Sequence, residues 1–417
     1  MNLAKRKISY RLYPSKKQNQ KMLDVLRSHQ RLYNAALEQR IATYKSHDIG
    51  LSLYDQCKEI TTLRGEFDEY KSLNAQSLQV TIKRLDLAYK NFFRRVKKSE
   101  KSAGFPRFKS FDRYTGWGYK THGDGWRLHA GEDMKHGHIR LSGMGHIKIR
   151  GRARDIGVPK TLEIQHKQGR WYASVTVECA PKRKGGEKAI GIDWGLTTYA
   201  TIANHDGTYD EIKNPRFLRK KLKELKKKQK NLSRKKLHSN NCKKTRIKVA
   251  AVHGKIANQR KDFLHKTTAN LVKESSLIAI EKLNTKGMSS KGGAYKKGLN
   301  REILSAAPGA FHQMLKCKAE EAGIELIEIP TRQVKPSQTC SSCGHQEKKL
   351  LSVRKHDCAC GAKLGRDENA AKVILNWAFF GNATGRESAI CGGDVLATPV
   401  KQETPSIAPR LAQLRWM

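Results

Sequence analysis

Apolar positions recur along this chain with changing period, and the changes divide it into four regions. In the first, KRKISYRLYPSKKQ reads as a strand stopped by Pro14, and helical patterns rather than further strands follow it over residues 20 to about 100. Leu78, Ile82, Leu85, Tyr89, Phe92 and Val96 are spaced four, three, four, three and four, which predicts one buried stripe on a long helix. Lys83, Lys90, Arg94 and Arg95 lie off that stripe. From about residue 104 the period falls to two. GFPRFKSF, HIRLSG, HIKIRG, TLEIQHK and RWYASVTVE alternate apolar with polar residues and are interrupted by glycines, which predicts a small antiparallel barrel or sheet. Trp171, Ala173, Val175 and Val177 would share one of its faces, and the first strand would join it, leaving the helices as an insertion. The third region opens with KAIGIDWGLTTYATIAN, two short apolar strands around a tight turn, and runs to about residue 380. Beyond about 382 the chain is periodless and proline-containing, the pattern of a disordered tail.

Charge changes this picture from a fold to a class of partner. Lys and Arg number 83 against 38 Asp and Glu, a net charge of +45 in 417 residues, and such a surface repels itself unless a polyanion neutralises it. Nucleic acid is the expected partner. A basic protein on an anionic membrane is the competing reading, but no run of about 18 apolar residues and no signal-peptide pattern supports it. The charge is concentrated between Arg219 and Lys236, where 11 residues are Lys or Arg and Glu224 is the single acid. Leu218, Leu222, Leu225 and Leu232 keep helical spacing through that run. One acid is too few to hold a solvated helix face together by ion pairs, so a nucleic-acid backbone alongside is the better reading.

Cys340-x-x-Cys343 and Cys358-x-Cys360 are two thiolate pairs separated by 14 residues, a pattern suited to four sulfur ligands around one Zn²⁺. The second pair is tighter than the commonest spacing, so His345 or His356 is an alternative ligand. Four protein ligands would leave no open position, which makes this a structural zinc. Cys57, Cys179, Cys242, Cys317 and Cys391 are scattered and read as small apolar fillers. Nine cysteines in a chain of this length are too few for a disulfide scaffold, and a reducing cytoplasm is expected.

Three carboxylates stand at the ends of predicted elements. Asp193 follows the strand AIGI, with Gly195 allowing a sharp turn after it; Glu281 ends the strand SLIAI; Asp367 opens the helix DENAAKVILNWA, whose buried face would carry Ala370, Ala371, Ile374, Leu375 and Ala378. Singly, each has a plain explanation as a turn residue, a strand-end charge or a helix N-cap. Together they point elsewhere, because strand ends of an α/β sheet converge on one edge. Three carboxylates there would repel one another unless hard cations, Mg²⁺ or Mn²⁺, sat among them. Such ions stabilise both the attacking and the leaving oxygen of a phosphodiester displacement. The zinc knuckle would then staple the loop that delivers Asp367.

GIDWGLTTYAT, IAIEKLN, CSSCG and GRDENAA occur in this order and resemble the split RuvC-type nuclease of the transposon-encoded TnpB proteins, relatives of the type V CRISPR effectors. YRLYPSKKQ, GFPRFKS and RKDFLHKTTANL resemble that family too, so the likeness spans residues 5 to about 380. It implies an α+β multidomain fold: a wedge-like β-barrel split over residues 1–15 and 104–185, an inserted helical recognition domain over 16–103, and an RNase H-like nuclease domain over 186–381. That last domain would contain basic helices over 213–275 and a zinc-binding insertion over 336–366, with a disordered tail over 382–417. The resemblance further implies an RNA-guided, Mg²⁺-dependent endonuclease that cuts double-stranded DNA beside a short adjacent motif, as a cytoplasmic, nucleoid-associated monomer on each guide RNA. Residue by residue, Asp193, Glu281 and Asp367 match the family's catalytic triad, and Cys340, Cys343, Cys358 and Cys360 its zinc ligands. Gly365 stands where the family often has Asp, and Pro336-Ser337 where it often has Thr-Ser. The Gly/Ser/Lys-rich stretch between Glu281 and Leu299 corresponds to a mobile lid. Two other readings compete on the same fold: a nuclease-inactive RNA-guided repressor, which predicts loss of a carboxylate, and an RNA-independent transposase or recombinase.

Overall fold

The computed structural model describes residues 3–98, 103–151, 156–290, 292–350, 352–381 and 383–384. The expected disordered tail therefore lies almost entirely outside the described residues. The N-terminal half is built on seven strands: β1 (Ala4–Tyr13), then, after a helical block, β2 (Gly116–Tyr119), β3 (Trp126–Ala130), β4 (His136–Leu141), β5 (Gly145–Gly151), β6 (Val158–Lys167) and β7 (Arg170–Cys179). They form one antiparallel sheet in the order β2-β6-β7-β1-β5-β4-β3. β1, first in the chain, lies in the middle, pairing with β7 on one side and β5 on the other. The hydrogen-bonded order ends at β2 and at β3, so the sheet is an open half-barrel and not a closed one. Alternation along β7 puts Trp171, Ala173, Val175 and Val177 in the core, each at most 3 % exposed.

The helical block comprises α1 (Lys16–His47), α2 (Leu53–Glu66), α3 (Asp68–Lys71) and α4 (Ala75–Lys97). α1 begins at a reciprocal cap between Ser15 and Gln18, directly after Pro14. Met22, Leu26, Leu78, Ile82 and Leu85 share a single core with Ile8, Tyr10, Trp117 and Ile164 of the sheet, so helices and sheet fold on each other. The stripe on α4 is buried only as far as Tyr89; Tyr89 and Phe92 meet Phe105 edge-on, and Val96 beyond them is 41 % exposed. GFPRFKSF is not a strand. Its Lys109 backbone is instead bonded in both directions to the Asn34 side chain, with Gln30 donating to the same carbonyl, which leaves no ladder to join.

The C-terminal half has strands β8 (Lys188–Trp194), β9 (Thr198–Asn204), β10 (Tyr209–Lys213), β11 (Ser275–Glu281) and β12 (Glu325–Ile329) in the order β10-β9-β8-β11-β12. β8, β11 and β12 run parallel, and β9 and β10 antiparallel to their neighbours. Helices α5 (Phe217–Ser233), α6 (Asn240–Glu274), α7 (Thr285–Met288), α8 (Ala294–Ala306), α9 (Pro308–Ala322), α10 (Thr331–Val334) and α11 (Arg366–Phe380), with the hairpin β13 (Lys355–Asp357) and β14 (Lys363–Gly365), complete it. One sheet face carries Ile190, Ile192, Ile278 and Ile280 against Leu264, Leu271, Phe311 and Leu315 of α6 and α9. The other face carries Ala279 against Val373 and Ile374 of α11. The near-continuous apolar runs of β8 and β11 reflect this burial on both sides.

α5 and α6 form a hairpin closed by Leu225, Val249, Val252 and Ile256, and Glu224 pairs with both Lys221 and Lys228. The two halves are tied by Glu321 of α9, which pairs with Arg6 of β1 and with Arg183 of the linker. The Gly/Ser/Lys-rich stretch after Glu281 contains α7 and the start of α8. Asn284 caps α7 at the Gly287 N–H, and Asn300 of α8 donates to the Ser290 carbonyl.

Candidate active site

Asp193 lies near the C-terminal end of β8 and Glu281 is the last residue of β11. The parallel register pairs Ile192 with Ile280, so the two carboxylates occupy the next rung and the same face, on strands that run about 4.8 Å apart. Asp367 reaches that rung from α11, and Gly191 explains how. A methyl group on Gly191 would sit 2.3 Å from the Ala371 carbonyl oxygen and 2.8 Å from Leu375 Cβ, so helix backbone and strand are in direct contact there. Two residues further along the strand is about 6.6 Å. Four residues back along the helix, on its same face, is about 6.0 Å in the same direction. The first step ends at Asp193 and the second at Asp367.

Gly191 was not singled out in the sequence, where Gly195 drew the attention. Gly195 is also needed, since a Cβ there would meet the Thr198 carbonyl at 2.7 Å. Gly191→Ala is expected to lift α11 and cost about 1–3 kcal/mol through overpacking. Thermal unfolding checks this, and an unchanged midpoint would remove the close-contact argument.

The plain reading of Asp367 as an N-cap does not hold. The helix begins after Gly365, and the Gly365 N–H is capped at 2.9 Å by the carboxylate of Glu368. Asp367 is left over for another role, and Gly365, in place of the acid common in the family, is compatible with the cap. Arg366 is also engaged, donating to the Leu350 and Val353 carbonyls.

All three carboxylates keep partial access to solvent, as a site acting on a polymer must. The protein around Asp193 and Glu281 nevertheless disfavours their charge. Asp193 is held well above the ordinary aspartate range by burial and then by the charges of Glu281 and Asp367, with Arg366 opposing. Burial pushes Glu281 up to about 7. The carboxylate oxygens do not close into a single tight ligand group as the four cysteine sulfurs do; they are electrostatically coupled over a wider opening. Three hard oxygen donors on one sheet edge, one of them crowded by burial and by the charges of the other two, are a donor set that fits divalent cations.

The four cysteines come together as their spacing suggests. Cys340, Cys343, Cys358 and Cys360 have all their sulfurs within 4.8 Å of one another, with Cys340 to Cys360 at 3.8 Å and Cys343 to Cys358 at 3.6 Å. Sulfurs bound tetrahedrally at 2.3 Å from a zinc ion would stand about 3.75 Å apart, so the group fits Zn²⁺. The cluster resists carrying many thiolates without a cation. Burial works against charge on Cys340, but amide hydrogen bonds from Ser342 and Cys343 bring its thiol down to about 6. At Cys343 an amide hydrogen bond from His345 favours the thiolate, yet the neighbouring sulfurs push the group up to about 12. His356 is buried, at 3 % exposure, with Nδ1 against Lys349 at 3.0 Å; neither it nor His345 is among the grouped ligands.

Sequence reasoning missed Asn369, which joins the two sites. It is 1 % exposed on α11, two residues from Asp367. Its Oδ1 accepts from the Ser341 N–H at 2.9 Å and its Nδ2 donates to the Thr339 carbonyl at 2.7 Å. One helix turn beyond the buried face's centre, Asn376 donates to the Ser341 carbonyl. The loop carrying Cys340 is thus bonded to the helix carrying Asp367. An Asn among the apolar positions of a buried helix face was the available signal.

Comparison with known proteins finds relatives of this chain. Residues 172–291 match the OrfB_IS605 family, described as a probable transposase, and residues 309–374 match the Cas12f1-like TNB domain. Residues 1–48 match a helix-turn-helix domain of the same OrfB family, although the described residues of that stretch form β1 and the long helix α1. A Streptomyces pristinaespiralis protein bearing the name of an RNA-guided DNA endonuclease is 31% identical over 99% of this chain and 100% of its own length. The Escherichia coli K12 protein InsQ, named in the same way, is 32% identical over 80% of each chain. The TnpB-like protein L770 of Acanthamoeba polyphaga mimivirus is 29% identical over 53% of this chain and 44% of that one.

Proposed function

Since the chain belongs to the TnpB family of transposon-encoded proteins, we propose that it is an RNA-guided, divalent-metal-dependent endonuclease that cleaves double-stranded DNA beside a short adjacent motif. The observation that carries this reading is the convergence of Asp193, Glu281 and Asp367 on one edge of the five-stranded sheet, electrostatically coupled and open to solvent. Magnesium or manganese ions held by these three would stabilise the entering and departing oxygens of the phosphodiester. The protein's own contribution is positioning. The β8–β11 register fixes two carboxylates, the contact at Gly191 sets the third, and the sulfur cluster with Asn369 keeps α11 from sliding. Zn²⁺ is proposed at Cys340, Cys343, Cys358 and Cys360.

The cationic α5–α6 hairpin suits the backbone of a guide RNA and its heteroduplex, bound through phosphates and weakened steeply by salt. Base pairing would read the target, while the protein reads the short motif. The N-terminal half is assigned to that recognition, with the half-barrel as the wedge and the helical block beside it. The described residues contain no helix long and apolar enough to cross a membrane, and a cytoplasmic, nucleoid-associated enzyme, one chain to each guide, is the proposed setting.

The test is cleavage of a plasmid library with a randomised motif beside a fixed target, using protein co-expressed with RNA from its own locus, in Mg²⁺. Cutting that requires both the RNA and the motif is the expected result. Specific, RNA-dependent binding without cutting would support the inactive repressor instead, and cutting indifferent to RNA would sink the guidance.

A further inference from the structure

The solvent face of the half-barrel carries a grid of basic side chains across the neighbouring strands β3, β4, β5 and β1. Alternation buries Ile139, Ile147 and Ile149 and turns the residues beside them outward. The register then fixes which side chains oppose each other. Arg127 of β3 stands opposite Arg140 of β4, and Arg140 opposite His146 of β5. On the next rung His129 stands opposite His138, and His138 opposite Lys148. On the third, His136 stands opposite Arg150, and Arg150 opposite Arg11 of β1. Opposed side chains have their Cβ atoms about 5 Å apart, where like charges destabilise a sheet. No acid stands on these rungs.

The elements around the grid do not supply the missing negative charge. Glu132 and Asp133 are the acids of the β3–β4 turn, and Asp133 is paired with Lys135 at 3.2 Å. At the other end of these strands α1 contributes Gln18, which donates to the Met144 and His146 carbonyls, and Lys21, whose Nζ would lie 3.9 Å from a Cβ on Gly143. Arg11 and Arg150 both stand over the ring of Tyr13, at 4.8 and 5.5 Å. His122, just before β3, is pushed down by burial and then by the charges of Arg127 and His129. Opposed cations of this density are offset when a polyanion lies across them.

Three imidazoles at the centre of the grid make that offset depend on pH. The ring of His146 lies 5.5 Å from that of His129 and 6.4 Å from that of His138, and the three do not close into a ligand group as the four sulfurs do. Histidine changes charge between pH 5 and 8, and a phosphate beside it favours the charged form. We propose that this face grips the phosphate backbone of RNA and that His129, His138 and His146 link the grip to protons. The complex holds protons that the free chain has shed, so affinity rises as pH falls. The commitment to RNA rests on the guided-nuclease reading, because a guide is retained through the reaction whereas a cut target has to leave.

The experiment measures binding of the full chain to a fluorescent RNA hairpin of about 16 base pairs, at fixed ionic strength and without Mg²⁺, from pH 8 to pH 6. Affinity is expected to rise about tenfold over that range. Substituting His129→Gln, His138→Gln and His146→Gln together should leave binding at pH 8 and the unfolding temperature unchanged, since all three side chains are exposed, and should remove most of the rise. His238→Gln with His253→Gln, on the α5–α6 hairpin, should leave the rise in place. Arg140→Gln should weaken binding about tenfold at both pH values. A rise that survives the triple substitution or disappears with the hairpin pair, or an Arg140→Gln protein of undiminished affinity, would overturn the proposal. The same histidine-dependent rise with a DNA duplex of equal length would overturn the assignment to RNA. None of these readouts is cleavage, so they can fail while Asp193-dependent cutting stands, and the reverse.

Discussion

Asp193→Asn is expected to lower cleavage by at least about a thousandfold while raising the unfolding temperature of the metal-free protein by several degrees. The two effects share one cause. Asp193 is crowded by burial and by the charges of Glu281 and Asp367, an arrangement that favours a bound cation and penalises its absence. Removing one negative charge relieves the penalty and destroys the site. The pH dependence follows from Glu281, whose carboxyl rises from the ordinary 4.5 to about 7 in the folded chain. Between those values the native state holds a proton that the unfolded state has lost, so stability falls as pH rises through this window. Relative to Glu281→Gln, the metal-free protein should therefore show no deficit below about pH 4.5 and its full deficit above about pH 7. Thermal scans with and without Mg²⁺ across that range check it. A stability gap independent of pH, or an Asp193→Asn protein that still cuts, would refute the assignment.

The second large effect is expected at the sulfur cluster. The purified protein should contain one zinc per chain by elemental analysis. Replacing Cys343 and Cys358 together with Ser should remove it and lower cleavage by about 10–100-fold, even in saturating Mg²⁺. The physical link is the pair of hydrogen bonds from Asn369 to the Cys340 loop. Asn369→Leu separates metal loss from loss of the link. It leaves the zinc bound but strands the Thr339 carbonyl and the Ser341 N–H, at a cost of about 2 kcal/mol, and should reproduce much of the loss in cleavage. Zinc-free protein with undiminished activity would show that the knuckle does not position Asp367.

The elements that carry the carboxylates were legible in the sequence because their signals are local. β8 and β11 are apolar runs buried on both faces, and α11 repeats its apolar positions at helical period. The four sulfurs were legible from spacing alone. What the sequence hid was contact between elements distant in the chain. Nothing local marks Gly191 as the place where a helix 180 residues later touches the strand, since glycine serves turns as often as close approaches. Val96 belongs to a faultless stripe, but whether the end of a stripe is buried depends on which elements reach it. GFPRFKSF alternates like a strand, yet its backbone is claimed by Asn34 and Gln30, residues no periodicity connects to it. The stretch after Glu281 reads as loop by composition but contains α7 and the start of α8, with Asn284 capping α7 and Asn300 bonding the Ser290 carbonyl.

The central position of β1 and the late arrival of α11 matter during synthesis. β1 cannot complete its pairing until β7 is made, so the N-terminal strand must remain open while more than a hundred residues are translated. The acid at position 367 comes on the last described helix, long after its two partners have left the ribosome. A chain that stops before α11 therefore already carries the cationic α5–α6 hairpin but lacks the third carboxylate. The three-carboxylate cluster cannot assemble until α11 has been made.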